Sequence, residues 1–272
     1  SDILHERLTT RFVDRRATHL MRRLDAADGQ DLLSAVTRRG EVVVEGHQVG
    51  VLGGFAFVPD PAAEGDEKKL VLRAARRALR EEMPRRVAMV EALPDAAFAL
   101  TPDHQIAWDG APVARILAGA SALAPRVQVL DSEFLDGAQR ERVRMRLQRF
   151  LDSRIRTDLA PLFIAAGLAE RIPGARGPLH RLRETLGLVP GVDEETLAPA
   201  LRQGLKGIGV RSGRFALFLP AMMKPLPALM RARLWAIRHG FALPALPGPG
   251  AVSLPAATDW PPGFAAAMGW VE

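Results

Sequence analysis

The sequence predicts an α+β fold: helices packed on small antiparallel sheets, with one hairpin–strand–helix unit used twice. Three observations lead there. Apolar residues recur at helical spacing in several long stretches, and in short Val/Ile-rich stretches bounded by glycine the period drops to two. The same order of hairpin, strand and helix then comes round again when Gly46 is set against Gly110.

Taken in order, Leu4, Leu8, Phe12, Leu20 and Leu24 predict a long amphipathic first helix whose other face carries Arg7, Arg11, Arg15, Arg16, Arg22 and Arg23. A short second helix is expected around Asp31–Arg38, stopped by Gly40. Glu41–Val44 and Gln48–Leu52 then read as a hairpin turning at Gly46, with Phe55–Val58 as a third strand and Lys69–Glu82 and Pro84–Leu93 as helical. The second copy aligns Ile106–Gly110 with Val42–Gly46, adds a strand at Val127–Leu130, and continues into a long helix over Ala138–Ala165. Gly167–Gly177, with Pro173 and Gly174, is the linker candidate. Beyond it helices are expected at Leu179–Leu186, Glu194–Leu205 and Pro227–His239, a strand at Phe215–Leu219, and an edge strand near Val252-Ser253-Leu254. The chain therefore divides into residues 1–166, a helix plus the two repeated units, and residues 178–272, a basic, mainly helical α+β part.

Charge is distributed unevenly. Between Glu195 and Asp259 no acidic residue occurs, yet Arg202, Lys206, Arg211, Arg214, Lys224, Arg231, Arg233 and Arg238 do, and this stretch accounts for the whole formal charge of +6. Cations this uncompensated invite a polyanion, of which a nucleic-acid backbone is the commonest. A GC-rich genome also enriches arginine, so composition alone does not decide the matter. The helix bearing Arg140, Arg142, Arg144, Arg146, Arg149, Arg154 and Arg156 has acids interspersed and reads as a solvated helix rather than a binding ridge.

Motifs for chemistry are missing. Cysteine is absent, which excludes thiol chemistry and disulfides and fits a cytoplasmic protein, and no apolar run is long enough for a membrane span. The six histidines are scattered without ligand spacing, and there is no phosphate loop, serine elbow or His-Glu-x-x-His. Gly204–Gly209 leaves a helix and enters a strand, the reverse of a phosphate cradle. Among the tryptophans, Trp108 and Trp235 fall in core patterns, and the lack of tyrosine argues against an aromatic RNA-stacking sheet. No catalytic residue or metal ligand is expected. The candidate binding residues are Arg211 and Arg214, flanking a glycine turn at the mouth of a strand, with Lys224, Lys206 and Arg231.

The residues also carry a resemblance. His5-Glu6-Arg7-Leu8-Thr9 with Arg11–Arg16, Val44–Gly50 with Gly54–Asp60, Trp108–Ala114 and Phe218–Pro225 together resemble the C-terminal accessory region of bacterial, mainly alphaproteobacterial, DEAD/DEAH-box helicase-related proteins. With the missing initiator Met, the resemblance implies a fragment of an ATP-dependent helicase acting on RNA. ATP and Mg would then be bound only in RecA-like motor domains upstream. The chain has no phosphate loop, DEAD/DEAH box or arginine finger, so this part is expected to be non-enzymatic. Its implied partners are an RNA or single-stranded DNA backbone and the helicase RecA-like core, with no membrane. The alternative is a protein–protein scaffold that docks on the helicase core or on a nuclease.

Overall fold

The computed structural model describes residues 33–37, 39–60, 66–192, 197–248, 251 and 259–270. The expected first helix, residues 31, 32 and 38, the pair Glu194-Glu195 and the edge strand near Val252 lie outside them. The fold is α+β, and the duplicated unit is there.

Its first copy is a four-stranded antiparallel meander, β1 (Ser34–Val36), β2 (Glu41–Val44), β3 (His47–Gly53) and β4 (Ala56–Pro59), in that spatial order, followed by α1 (Asp66–Ala92). The second is β5 (Phe98–Leu100), β6 (Gln105–Trp108), β7 (Ala111–Leu117) and β8 (Arg126–Val129), in the same order, followed by α2 (Gly137–Asp158). Each copy thus has one strand more than the sequence suggested. The helix expected around Asp31–Arg38 is instead β1 at Ser34–Val36, paired with Val42–Val44. Gly40, read as a helix stop, lies in the β1–β2 turn at φ +81°, where a Cβ would come within 2.7 Å of the Leu52 carbonyl oxygen. Left-handed glycine serves both structures, so a short apolar run before it does not distinguish them.

From β1 to β3 the copies correspond residue for residue at a shift of 64, the step from Gly46 to Gly110. Thr37 N–H donates to the Glu41 carbonyl at 2.8 Å, and Thr101 N–H to the Gln105 carbonyl at 2.9 Å. In both copies the same threonine hydroxyl accepts from the following strand's N–H at 3.1 Å. Leu52 N–H donates to Gly40, and Ile116 N–H to His104, at 2.7 and 2.8 Å. Glu45-Gly46 and Asp109-Gly110 are both left-handed pairs, φ +50° and +76° against +51° and +74°. This primed turn matches strand twist and demands positive φ twice, which explains acid followed by glycine. Even the exposure along β3 and β7 agrees at six of seven positions.

The remainder comprises α3 (Ala160–Ala169), α4 (Arg176–Glu184), β9 (Leu188–Pro190), α5 (Pro199–Gly207), β10 (Arg211–Ser212), β11 (Ala216–Phe218), α6 (Pro225–His239) and α7 (Phe264–Met268). The single helix expected over Ala138–Ala165 is broken at Leu159, where Pro161 enters the first turn of α3. Conversely, α1 runs unbroken through Pro84.

Two compact units result: Ser1–Phe98 with Ala107–Val113 and Val129–Arg146, and Ala99–Ile106 with Ala114–Gln128 and Leu147–Glu272. They divide the chain elsewhere than at Gly167–Gly177, within which Ala169 and Ala175 are buried. In the first unit α1 packs on β1 and β2 through Ala75, Leu79, Met83, Val87 and Val90. Its Arg86 is held inside, 5.0 Å above the Trp108 ring and 3.4 Å from the Leu52 carbonyl. In the second unit Ile106, Leu147, Leu151, Ile155, Leu159 and Leu182 are among the fully buried side chains. The described residues contain no helix long and apolar enough to cross a membrane.

His104 occupies the position that Gly40 fills in the first copy, at φ +55°. Its Nε2–H donates to the Phe241 carbonyl at 2.8 Å, while Nδ1 is buried without a partner. Burial holds its pKa below the ordinary 6.5, against the pull of the Phe241 carbonyl. The unfolded chain therefore takes up the proton first, so this stabilisation is complete above about pH 6.5 and is lost as pH falls through the lowered folded value. The thermal midpoint should fall on going from pH 7.5 to 5, and His104→Asn, which tolerates positive φ, should flatten that slope. At the turns, a Cβ on Gly46 or Gly110 would touch nothing within 4 Å, so only φ opposes it. Gly46→Ala and Gly110→Ala should each cost about 1 kcal/mol in urea unfolding, and by similar amounts.

Candidate nucleic-acid interface

Two strands of the acid-free stretch join β9, which precedes it, in a three-stranded sheet of order β10-β11-β9. Register sorts its side chains. Leu217 pairs with Val189 and Ser212, while Phe218 pairs with Leu188 and Arg211, and Ala216 with Pro190. Alternation puts Leu217 and Val189 on one face, both buried. Leu188, Pro190, Ala216, Phe218 and Arg211 belong to the other.

That second face forms the floor of a depression of about 690 Å³, closed at one side by α7 and its flanks, with Met223 and Trp270 also in its wall. Two glycines permit the close fit. Gly269, at φ +88°, brings its backbone so near that a Cβ would lie 2.9 Å from Leu188 Cδ1. Gly187, at φ +95°, lets Met222 approach, a Cβ there lying 2.8 Å from its Cγ. A side chain at either place would adopt a disfavoured positive φ and require Leu188 or Met222 to shift.

The turn between β10 and β11 stands at the rim. Gly213 N–H donates to the Ala216 carbonyl at 2.9 Å and closes it. Phe215 is 63% exposed, and the Arg214 guanidinium lies 5.4 Å from its ring centroid. Arg211 is exposed, and its Nη1 donates to the Lys206 carbonyl at 2.9 Å, tying the turn to the end of α5. Lys224 is exposed directly after Met223. Among the described residues none of Lys206, Arg211, Arg214 or Lys224 forms an ion pair. Five of the seven α2 arginines behave oppositely, while Arg149 and Arg156, both exposed, likewise form no ion pair among the described residues. Arg140 bridges Asp131, Arg142 Glu91, Arg144 Glu141, Arg146 Asp95 and Arg154 Asp158. The solvated-helix reading holds for the exposed members of that segment but not for Arg146, which is buried, donates to the Leu93 carbonyl at 2.6 Å and lies 4.8 Å from the Phe98 ring centroid.

Arg231 must be taken out of the expected surface. It is fully buried, because position 231 is on the inner side of α6, between the turn at Pro220–Met223 and α7. Nη2 donates to the Ala267 carbonyl at 2.7 Å, and Nη1 reaches the Met222 carbonyl and Met223 Sδ, each at 3.5 Å. Burial alone pulls its pKa down to about 10, which leaves it charged at neutral pH. Arg233 is buried likewise and donates to the carbonyls of Thr101 and Leu100. Two of the eight acid-free cations are therefore internal struts.

Sequence reasoning missed β9, β10, α7 and the depression they form. The signals were Gly263 and Gly269 bracketing Phe264–Met268, and Trp270 just after, inside a Pro/Gly-rich tail that read as a loop. Trp235, Trp260, Trp270 and Phe264 form an edge-to-face series with centroids 4.9–6.3 Å apart, so those tryptophans serve chiefly as a wall and core. The described residues include no group of three or more His, Asp or Glu side chains arranged to hold a metal.

Comparison with protein-family models, with curated proteins and with solved structures returns no match.

Arg231→Met should lower unfolding stability by roughly 1–3 kcal/mol, since the Ala267 and Met222 carbonyls lose their donor. If Arg231 contacted ligand at the surface instead, the variant would unfold like the parent and only binding would suffer.

Proposed function

We propose that this chain is a non-catalytic module that holds a single nucleic-acid strand, and that it serves an ATP-dependent helicase acting on RNA. The observation that carries the binding reading is the unpaired state of Lys206, Arg211, Arg214 and Lys224, in a segment without acids. Four cations without a carboxylate among the described residues repel one another, and a phosphate backbone relieves that strain while releasing its own counterions. Arg211 is anchored by its bond to the Lys206 carbonyl, so it loses little freedom on meeting a phosphate. The link to a helicase and its RecA-like core rests on the resemblance of the quoted segments, and a cytoplasmic setting on the absence of cysteine.

Binding should be sequence-neutral and salt-dependent. For about four phosphate contacts to a single strand, log Kd against log salt should have a slope of roughly 3. Arg211→Glu with Arg214→Glu should abolish most of the affinity in fluorescence polarisation at low salt and reduce the slope. Absence of low-salt binding, or an unchanged Kd in the double variant, would sink the reading. A partner captured by the chain after nuclease treatment, through the same arginines, would favour the protein-scaffold alternative.

A further inference from the structure

The rim cations alone would grip any polyanion, duplex or single-stranded. The depression beside them adds a selection. Its volume of about 690 Å³ lies within the usual range for a small-ligand site. Its wall is apolar and partly aromatic, and Arg214 is the only charged side chain in it. At the entrance, Phe215 stays exposed with the guanidinium of Arg214 against its ring. A partly buried apolar floor, a flat aromatic at the mouth and cations outside match a ligand with a flat apolar head and an anionic tail.

We infer that this depression receives a base of an unpaired nucleotide, while Arg211, Arg214 and Lys224 hold the adjoining phosphates. This rests on the nucleic-acid reading above and narrows it to strands whose bases are free. A paired base is stacked on both faces and cannot enter; an unpaired one loses little by moving onto Phe215, Phe218 or Trp270. The wall has no tyrosine and little hydrogen-bonding capacity, so recognition works by stacking and shape, with weak base preference. RNA and single-stranded DNA share the chemistry.

The test uses the full chain with four fluorescent probes of equal length: oligo(rU), oligo(dT), an abasic oligonucleotide and a blunt duplex. The abasic strand has the phosphates without the bases. We expect it and the duplex to bind roughly tenfold more weakly than the base-bearing strands. The oligo(rU) and oligo(dT) arms determine whether the sugar matters. Ala266→Leu fills the depression from an exposed position on α7; it should weaken oligo(rU) to the abasic level and leave abasic binding alone. Quenching of tryptophan fluorescence by oligo(rU), reduced in Trp270→Phe, is the second readout, independent of that variant's folding. Equal binding of abasic and base-bearing strands would overturn the base pocket while leaving the nucleic-acid reading intact. Failure of all four probes to bind would remove both.

Discussion

The geometry of the C-terminal part depends on one buried charge. Among the described residues Arg231 has no carboxylate partner and its Nε has no hydrogen-bond partner, so its guanidinium meets the dipoles of two carbonyls and a thioether. Such a site is costly unless the donors are directed well, because an isolated ion in a low-dielectric interior has a large desolvation penalty. The fork of the guanidinium directs them. It joins the turn that carries Met223 to the end of α7, which are two parts of the wall around one depression. Lysine, a single point donor, does not have that span. The position of the cavity wall is thus set by a residue that composition alone would assign to the solvent.

Charge is handled by contrast elsewhere. Along α2, five arginines are each matched to a carboxylate; three of those pairs are largely exposed and contribute little stability, while Arg146 and Asp158 are buried members of the other two. From Lys206 to Lys224 the exposed cations have no such partners among the described residues, and their field is unspent. A protein of ordinary overall composition can in this way concentrate its electrostatic attraction in a small area without being strongly basic throughout.

How far the sequence could be read varied with the physics of each element. The repeat was legible because the turn Glu45-Gly46 and its counterpart Asp109-Gly110 impose a backbone conformation that few residue pairs accept. β1 was not, since a three-residue segment, Ser34-Ala35-Val36, shortly before a glycine satisfies a helix end as well as a strand end. The strand at Ala216–Phe218 was legible from its unbroken apolar run; its partners were not, because β10 has two residues and β9 ends in proline. Lys206, Arg211, Arg214 and Lys224 are exposed while Arg231 and Arg233 are buried, and the sequence did not separate the two sets. A helix such as α6, buried on several sides, has no polar face from which to recognise an internal arginine. Glycines that permit wall contacts, Gly187 and Gly269, look in sequence like any loop glycine.

The duplicated meanders bear on how the chain reaches its native state. Apart from the connection from β7 to β8, each joins neighbours separated by a few residues, so its loop-closure cost is small and it can form early. Two near-identical sets of backbone donors and acceptors, however, offer every nascent strand a second acceptable mate, either within the molecule or in another copy during synthesis. The symmetry is broken where β3 turns into β4 through Gly54-Phe55 alone but β7 reaches β8 through a much longer connection. That inequality in connection length acts as a register key, making the exchange of one hairpin for the other sterically unequal.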